Sequence, residues 1–303
     1  MTTSTEMIEA AARRLAGRVR TTPVLDTGDV LYKLEHVQHA GSFKTRGMVN
    51  KILSAAERGL PEAGIIAASG GNAGLAAAYA ARELGVAAEI YVPETAPQVK
   101  VAKLAKLGAQ VTRTGSEYAE AYAAAVVRAG QSGAVFCHAY DDPDMVAGNG
   151  TLGLELGEQA EFDTVLVAVG GGGLIAGVAA ALRGRAKVVA VEPESACALH
   201  AALAAGEPVD VPVAGVAADS LGARRVGRIA YETAVDLDLP SVLVSDQAIV
   251  EARRRLWDEF RLAVEHGTAA AQAALMAGAY RPEPGERVVV LLCGGNTDPS
   301  DLA

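Results

Sequence analysis

Aromatic residues make up only 4% of the 303 positions, and cysteine occurs three times, at Cys137, Cys197 and Cys293. An odd number of widely spaced cysteines with no Cys-x-x-Cys pair supplies neither a disulfide framework nor a zinc site. Positive charge is also short. The formal net charge is −9, and the basic triplet Arg253 to Arg255 sits in a helical pattern among acidic neighbours. Binding a phosphate backbone calls for a basic face, so nucleic acid is excluded as a partner. The opening stretch, MTTSTEMIEAAARRLAG, is polar and then helical, without an apolar signal core. One uncharged run, Thr164 to Leu182, approaches the roughly 20 residues of a membrane helix. Four successive glycines in its middle break that pattern, so it reads as strand, turn and helix. The expectation is a soluble, cytoplasmic protein that meets neither membrane nor nucleic acid.

What the sequence does have is alanine, glycine and a hydrophobic half, at a length that suits two lobes or one large α/β domain. Short Val/Ile-rich runs alternate with Ala-rich helical stretches, which predicts a mostly parallel sheet covered on both faces. The expected strands are GIIAAS (64–69), AEIYV (88–92), AQVTRT (109–114), AVFCHA (134–139), TVLVAV (164–169), KVVAVE (187–192) and RVVVLL (287–292). Between them, GLAAAYAARELG, PQVKVAKLAKLG and SEYAEAYAAAVVRAG carry helix formers and glycine stops. No repeat, linker or composition shift marks a domain boundary.

Two strand–turn–helix units stand out. Ser69-Gly70-Gly71-Asn72-Ala73-Gly74 and Gly170 to Gly173 each join a strand to a helix. Glycines allow close backbone approach, and a helix start offers free N–H groups and a positive dipole end, which together suit a phosphate or a carboxylate. Four consecutive glycines can aim several amides at one phosphate. The blander alternative is a tight turn whose glycines only relieve crowding. Neither turn is a P-loop, and GGGGLIAG fits a dinucleotide fingerprint only if Ile175 stands where the third glycine belongs.

A further stretch, HAGSFKTRG, places Lys44 between Phe43 and a turn-former, with Ser42 and Arg46 close by. A partly desolvated lysine has a lowered pKa and can act as nucleophile and then as base. In order along the chain, SFKTRG, SGGNAG, GGGG and CGGN resemble the fold-type II pyridoxal phosphate enzymes, and within them most closely the serine/threonine dehydratases. The likeness runs from about Thr22 to Asn296. It implies an α/β fold of two open, twisted, mostly parallel sheets with flanking helices, like the tryptophan synthase β-subunit. Residues 1–40 and 141–303 would form a large cofactor-binding domain, and residues 41–140 a small mobile one.

The resemblance also implies roles. Lys44 would carry pyridoxal 5'-phosphate as an imine and later move the substrate α-proton, with Phe43 against the pyridine ring. Asn72 would bond the ring's 3-hydroxyl; Ser69, Gly70, Asn72 and Ala73 would hold the substrate carboxylate. Gly170, Gly171, Gly172 and Gly173 would bind the phosphate, and Cys293 would face the ring nitrogen. A neutral thiol there would not keep that nitrogen protonated, which favours β-elimination. The implied reaction is dehydration and deamination of L-threonine or L-serine to a 2-oxo acid and ammonia, and relatives suggest a homodimer.

Departures qualify the likeness. Gly70 stands where racemases have a second serine, so racemisation is expected to be minor. Glu192 matches a metal-binding glutamate, but Ala198 replaces its partner. No metal site is therefore expected, while a monovalent cation held partly by carbonyls stays open. His266 replaces a common proline and is read as an exposed loop residue. The chain ends soon after CGGNTDPSDLA, and no regulatory domain is expected. Rival readings are a β-replacement enzyme of the cysteine synthase or threonine synthase type, which usually reads Lys-Asp-Arg where this chain has Lys44-Thr45-Arg46. A dehydratase for another β-hydroxy amino acid, such as 3-hydroxyaspartate or phenylserine, is a second rival. A nucleotide-binding oxidoreductase and a non-catalytic relative complete the set.

Overall fold

A computed structural model describes residues 3–302. Its strands are β1 (Val24–Asp26), β2 (Val30–Lys33), β3 (Ile65–Ala68), β4 (Ala88–Val92), β5 (Gln110–Arg113), β6 (Val135–Phe136), β7 (Thr164–Ala168), β8 (Lys187–Pro193), β9 (Ser241–Val244) and β10 (Val288–Leu291). The first six helices are α1 (Thr5–Leu15), α2 (Lys44–Glu57), α3 (Asn72–Leu84), α4 (Gln98–Lys106), α5 (Tyr118–Ser132) and α6 (Pro143–Gln159). Then follow α7 (Gly173–Ala181), α8 (Ala198–Ala205), α9 (Ala218–Leu221), α10 (Arg228–Asp236), α11 (Asp246–Phe260) and α12 (His266–Met276).

The strands form two sheets, in the orders β1-β2-β10-β7-β8-β9 and β5-β4-β3-β6. All pairs are parallel except the β1–β2 hairpin at one edge. Alternation along the central strands sends side chains to two cores. Val165, Val167, Val188, Ala190, Val289 and Leu291 pack with α6, α7 and α10, while Leu166, Val189, Val191, Val288 and Val290 pack with α11 and α12. The smaller sheet is covered in the same way, with Ile65, Ala67 and Ile90 towards α2 and α3 and Ile66, Ala68 and Tyr91 towards α5. Apolar runs buried on both faces are what parallel sheets require.

Three strands escape the sequence reading: β1, β2 and β9. The run expected over 134–139 yields only Val135–Phe136 in strand form. Cys137 still donates to the Ile66 carbonyl, but His138 Nδ1 then accepts from the amides of Tyr140 and Asp141 and turns the chain.

Helix α6 brings the two key helices together. Its Gly148 meets Gly47 of α2, and its Gly150 meets Gly177 of α7, each so closely that a Cβ would strike the partner backbone. Beneath α2 lies a buried charge cluster. Arg46 donates through Nε to Glu35 Oε1 (2.7 Å) and through Nη2 to Glu35 Oε2 and Glu155 Oε2 (both 2.9 Å), and Lys33 pairs with Glu155 from the other side.

Candidate active site

Lys44 opens α2, and the segment before it is laced to the end of β10. Ser42 pairs with Gly294 in an antiparallel bridge, Phe43 N–H donates to the Cys293 carbonyl (3.0 Å), and Gly295 N–H donates to that of Gly41 (2.9 Å). Ala40 (φ 53°) and Gly41 (φ 74°) take left-handed conformations to make the turn. Lys44 Nζ donates to the Ala139 carbonyl (2.6 Å) and lies 5.0 Å over the Phe43 ring. Burial pushes its pKa down to about 8. About a tenth of the amine is then neutral at pH 7, against well under a thousandth for an ordinary lysine, which makes it a far more competent nucleophile and base.

Cys293 is 6% exposed, and its Sγ lies 3.4 Å from Thr268 Oγ1. Burial pushes the thiol up to about 12, so it stays neutral. It is close enough to Lys44 for the two to sense each other electrostatically.

Loop 170–173 leaves β7 and caps α7. Side chains are excluded from it by the protein itself. A Cβ at Gly170 would strike the Leu221 backbone, at Gly171 the Tyr140 ring, and at Gly172 (φ 87°) Ala230. Crowding relief therefore accounts for the absence of side chains, and the amides add a second property. Among the described residues, the N–H groups of Gly170, Gly171, Gly172 and Gly173 donate to no protein acceptor. Three carbonyls are fixed instead, Gly171 by Gly227 N–H (3.0 Å), Gly172 by Ala176 N–H (3.0 Å) and Gly173 by Asn149 Nδ2 (3.1 Å). Free amides at a helix start form an anion cradle.

The loop 69–73 joins β3 to α3. Ser69 Oγ accepts from Gly71 N–H (3.1 Å), while the amides of Gly70, Asn72 and Ala73 have no protein acceptor among the described residues. Gly70 has room for a side chain: a Cβ there would lie at ordinary contact distance, 3.7 Å from Val92 and 4.0 Å from the Lys100 stem. Around it is a cleft of about 90 Å³ lined by Gly70, Gly71, Asn72, Lys100, Asp219 and Glu265. Asn72 is held on both ends of its amide. Its Nδ2 donates to both oxygens of Glu265 (2.9 Å each), and its Oδ1 accepts from Asn296 Nδ2 (2.7 Å).

A short series of contacts thus links the expected residues. Lys44 touches Ala139, the neighbour of the Tyr140 ring that backs Gly171. Its segment is bonded to Cys293 and Gly294, and Gly294 borders Glu265 and Asn72. Sequence reasoning passed over Glu265, Asn296, Asn149 and Tyr140. Of these, only Asn296 lay inside a quoted motif, CGGN, and Tyr140 directly followed the run over 134–139.

His266 departs from the loop reading. It is the first residue of α12, half-buried, on the wall of a neighbouring cavity of about 220 Å³. Glu192 is fully buried, and its two oxygens accept from the Leu199 and His200 amides at the start of α8 (2.8 Å each). Burial raises its pKa to about 7.

The donor set fits a phosphorylated aldehyde: a nucleophilic amine, an anion cradle, a neutral thiol and a second set of free amides for a carboxylate. Comparison with known proteins points the same way. The pyridoxal-phosphate dependent enzyme family matches residues 15–294. The chain is 37% identical to an L-threonine ammonia-lyase from Geobacter sulfurreducens, over 98% of this chain and 76% of that protein. It is 38% identical to a phenylserine dehydratase from Ralstonia pickettii, over 96% and 92%. A threonine deaminase from T.th. superposes with a TM-score of 0.89 at 35% identity, covering 97% of this chain and 99% of that one. Maize serine racemase gives 0.92 at 29%, covering 100% and 96%. The family match spans nearly the whole chain, Lys44 and both glycine turns included, and the chain belongs to the pyridoxal-phosphate dependent enzymes.

Proposed function

We propose that this enzyme removes water and then ammonia from a β-hydroxy amino acid, L-threonine or L-serine, leaving a 2-oxo acid. Bound pyridoxal phosphate supplies a reactive aldehyde and an electron sink. The protein supplies the rest. Lys44 would hold the cofactor through Nζ and would be the base for the proton on the substrate α-carbon. Its lowered pKa, about 8, suits both duties. The amides of Gly170 to Gly173 would hold the phosphate, and Phe43 would lie against the ring. The amides of Gly70, Asn72 and Ala73, with Ser69, would hold the substrate carboxylate, and Asn72 would also serve the ring's 3-oxygen. The neutral thiol of Cys293 would face the ring nitrogen without delivering a proton to it, which favours expulsion of the β-hydroxyl. The water lost in elimination is regained when the enamine product hydrolyses, so ammonia is the net loss.

The observation that carries the reading is the Lys44 amine, crowded by protein and bonded only to a backbone carbonyl. In the same reading residues 1–40 and 141–303 form a large domain and 41–140 a small one. The four-stranded sheet within 65–136 supports that division. A homodimer is the expected assembly, by analogy with relatives alone. A monovalent cation near Glu192 would rest on backbone carbonyls, since both oxygens of Glu192 already accept amide N–H groups.

The test is a panel of β-hydroxy amino acids with 2-oxo acid and ammonia followed together. Threonine or serine is expected to give equal amounts of both, and Lys44→Ala to give neither. Incorporation of a thiol without deamination would replace this reading with β-replacement.

A further inference from the structure

Glu265 has no part in the steps above, yet its carboxylate closes a network at one edge of the cleft. It is 8% exposed and immediately precedes α12. Gly294 makes room for it, because a Cβ there would lie 2.7 Å from Glu265 Oε1. Each hydrogen bond to the carboxylate comes from an N–H: Asn72 Nδ2 to both oxygens and the Asn296 amide to Oε1, all at 2.9 Å. An ionised carboxylate accepts only, so the nitrogen end of the Asn72 amide must face it. Asn296 Nδ2 secures the other end by donating to Asn72 Oδ1 (2.7 Å), and it is itself fixed by donating to the Ala40 carbonyl (2.7 Å).

The geometry leaves one donor over. Two oxygens of one carboxylate at hydrogen-bond distance subtend only about 45° at the nitrogen, whereas its N–H bonds diverge by about 120°. One N–H of Asn72 is therefore shared between the two oxygens, and the other is free. We propose that Glu265 is a positioning residue that locks the Asn72 amide so that an N–H, and not the carbonyl oxygen, is presented to the cofactor. A donor-only Asn72 needs an acceptor opposite it. The cofactor's 3-oxygen meets that need best as an anion, and the proton then resides on the neighbouring nitrogen that links Lys44 to the cofactor. Burial raises the pKa of Glu265, with Asp219 adding to the rise and Lys100 opposing it. Cys293 on the adjoining strand end stays a neutral thiol and adds no charge. The inference rests on the family's cofactor and on Asn72 facing it, and not on the choice of substrate.

The test is a double-mutant cycle read without substrate, by the dissociation constant of pyridoxal phosphate and the pH midpoint of the holoenzyme's visible absorbance band. Glu265→Gln replaces an acceptor-only group with one that tolerates either orientation of Asn72. It is expected to weaken cofactor binding by about tenfold, the worth of one hydrogen bond to a charged group, and to raise the band's midpoint, because the deprotonated form carries the fuller negative charge on the 3-oxygen and loses more when the donor is gone. Asn72→Ala should do the same, and the double variant should be no worse than Asn72→Ala alone. Losses that multiply in the double variant, or a Glu265→Gln protein with wild-type affinity and midpoint, would overturn the proposal. If Glu265→Gln does not fold, Glu265→Asp carries the test. It keeps an acceptor-only carboxylate and is expected to retain the wild-type midpoint, and a midpoint shifted as far as that of Asn72→Ala would be the contrary result. Since these readings precede any turnover, a failure here is separable from a failure of the dehydratase reading.

Discussion

The two glycine turns look alike in sequence but are built in opposite ways. Loop 170–173 is pressed between Leu221, Tyr140 and Ala230, so its glycines are demanded by protein neighbours and its free amides are a by-product of that packing. Loop 69–73 is open at Gly70 and is shaped instead by one side chain, Asn72, tied to Glu265 and Asn296. A rigid cradle suits a phosphate that stays bound through every turnover. An open loop suits a carboxylate that must arrive and leave. Glycine at a turn therefore carries two different physical meanings in one molecule.

A methyl group in each loop breaks the comparison most directly. Gly171→Ala drives a Cβ into the Tyr140 ring, and overpacking of this kind costs about 1–3 kcal/mol. Weaker binding of pyridoxal phosphate by more than about tenfold is expected, with a lower melting temperature; wild-type affinity would show that the cradle has slack.

The amine between the loops gives a second test. Burial holds Lys44 at about 8 against its ordinary 10.5. Below the folded value both folded and unfolded states are protonated, and the full burial penalty applies. Between the two values the folded state binds fewer protons, so the cofactor-free protein gains stability as the pH rises from about 8 towards 10.5. Denaturant unfolding should show this gain in the wild type and not in Lys44→Met. The gap should change by roughly 2 kcal/mol between about pH 7.5 and about pH 9.5.

The smallest effect belongs to the open loop. In Gly70→Ser the new Cβ meets only Val92 and the Lys100 stem, at ordinary contact distances. Stability within about 0.5 kcal/mol of wild type is expected. Chiral analysis of the remaining serine should show more inversion than wild type, because a hydroxyl now stands where none was; a large drop in melting temperature would mean that the loop is as tightly packed as its counterpart.

Local features were legible in the sequence. The lysine, the two glycine turns and the buried strands β3, β4, β7, β8 and β10 each declare themselves within a few adjacent residues. Strands β1, β2 and β9 did not, being three or four residues long with intermediate burial at several positions. Glu265 and Asn296 were missed for another reason. Their partner Asn72 lies 193 and 224 residues away, and a carboxylate or amide looks the same whether it faces water or a second amide.

The charge cluster under α2 settles why an arginine follows the lysine so closely. On an α-helix two residues of separation turn the side chain by about 200°, so Arg46 and Lys44 leave opposite sides of the same cylinder. With its fork gripped by Glu35 and Glu155, the helix behaves like a bolt pinned through its shank. Any roll that swung the amine off its target would first have to tear a guanidinium from two acids in the dry interior. Aim at one side is thus guaranteed by anchorage at the other.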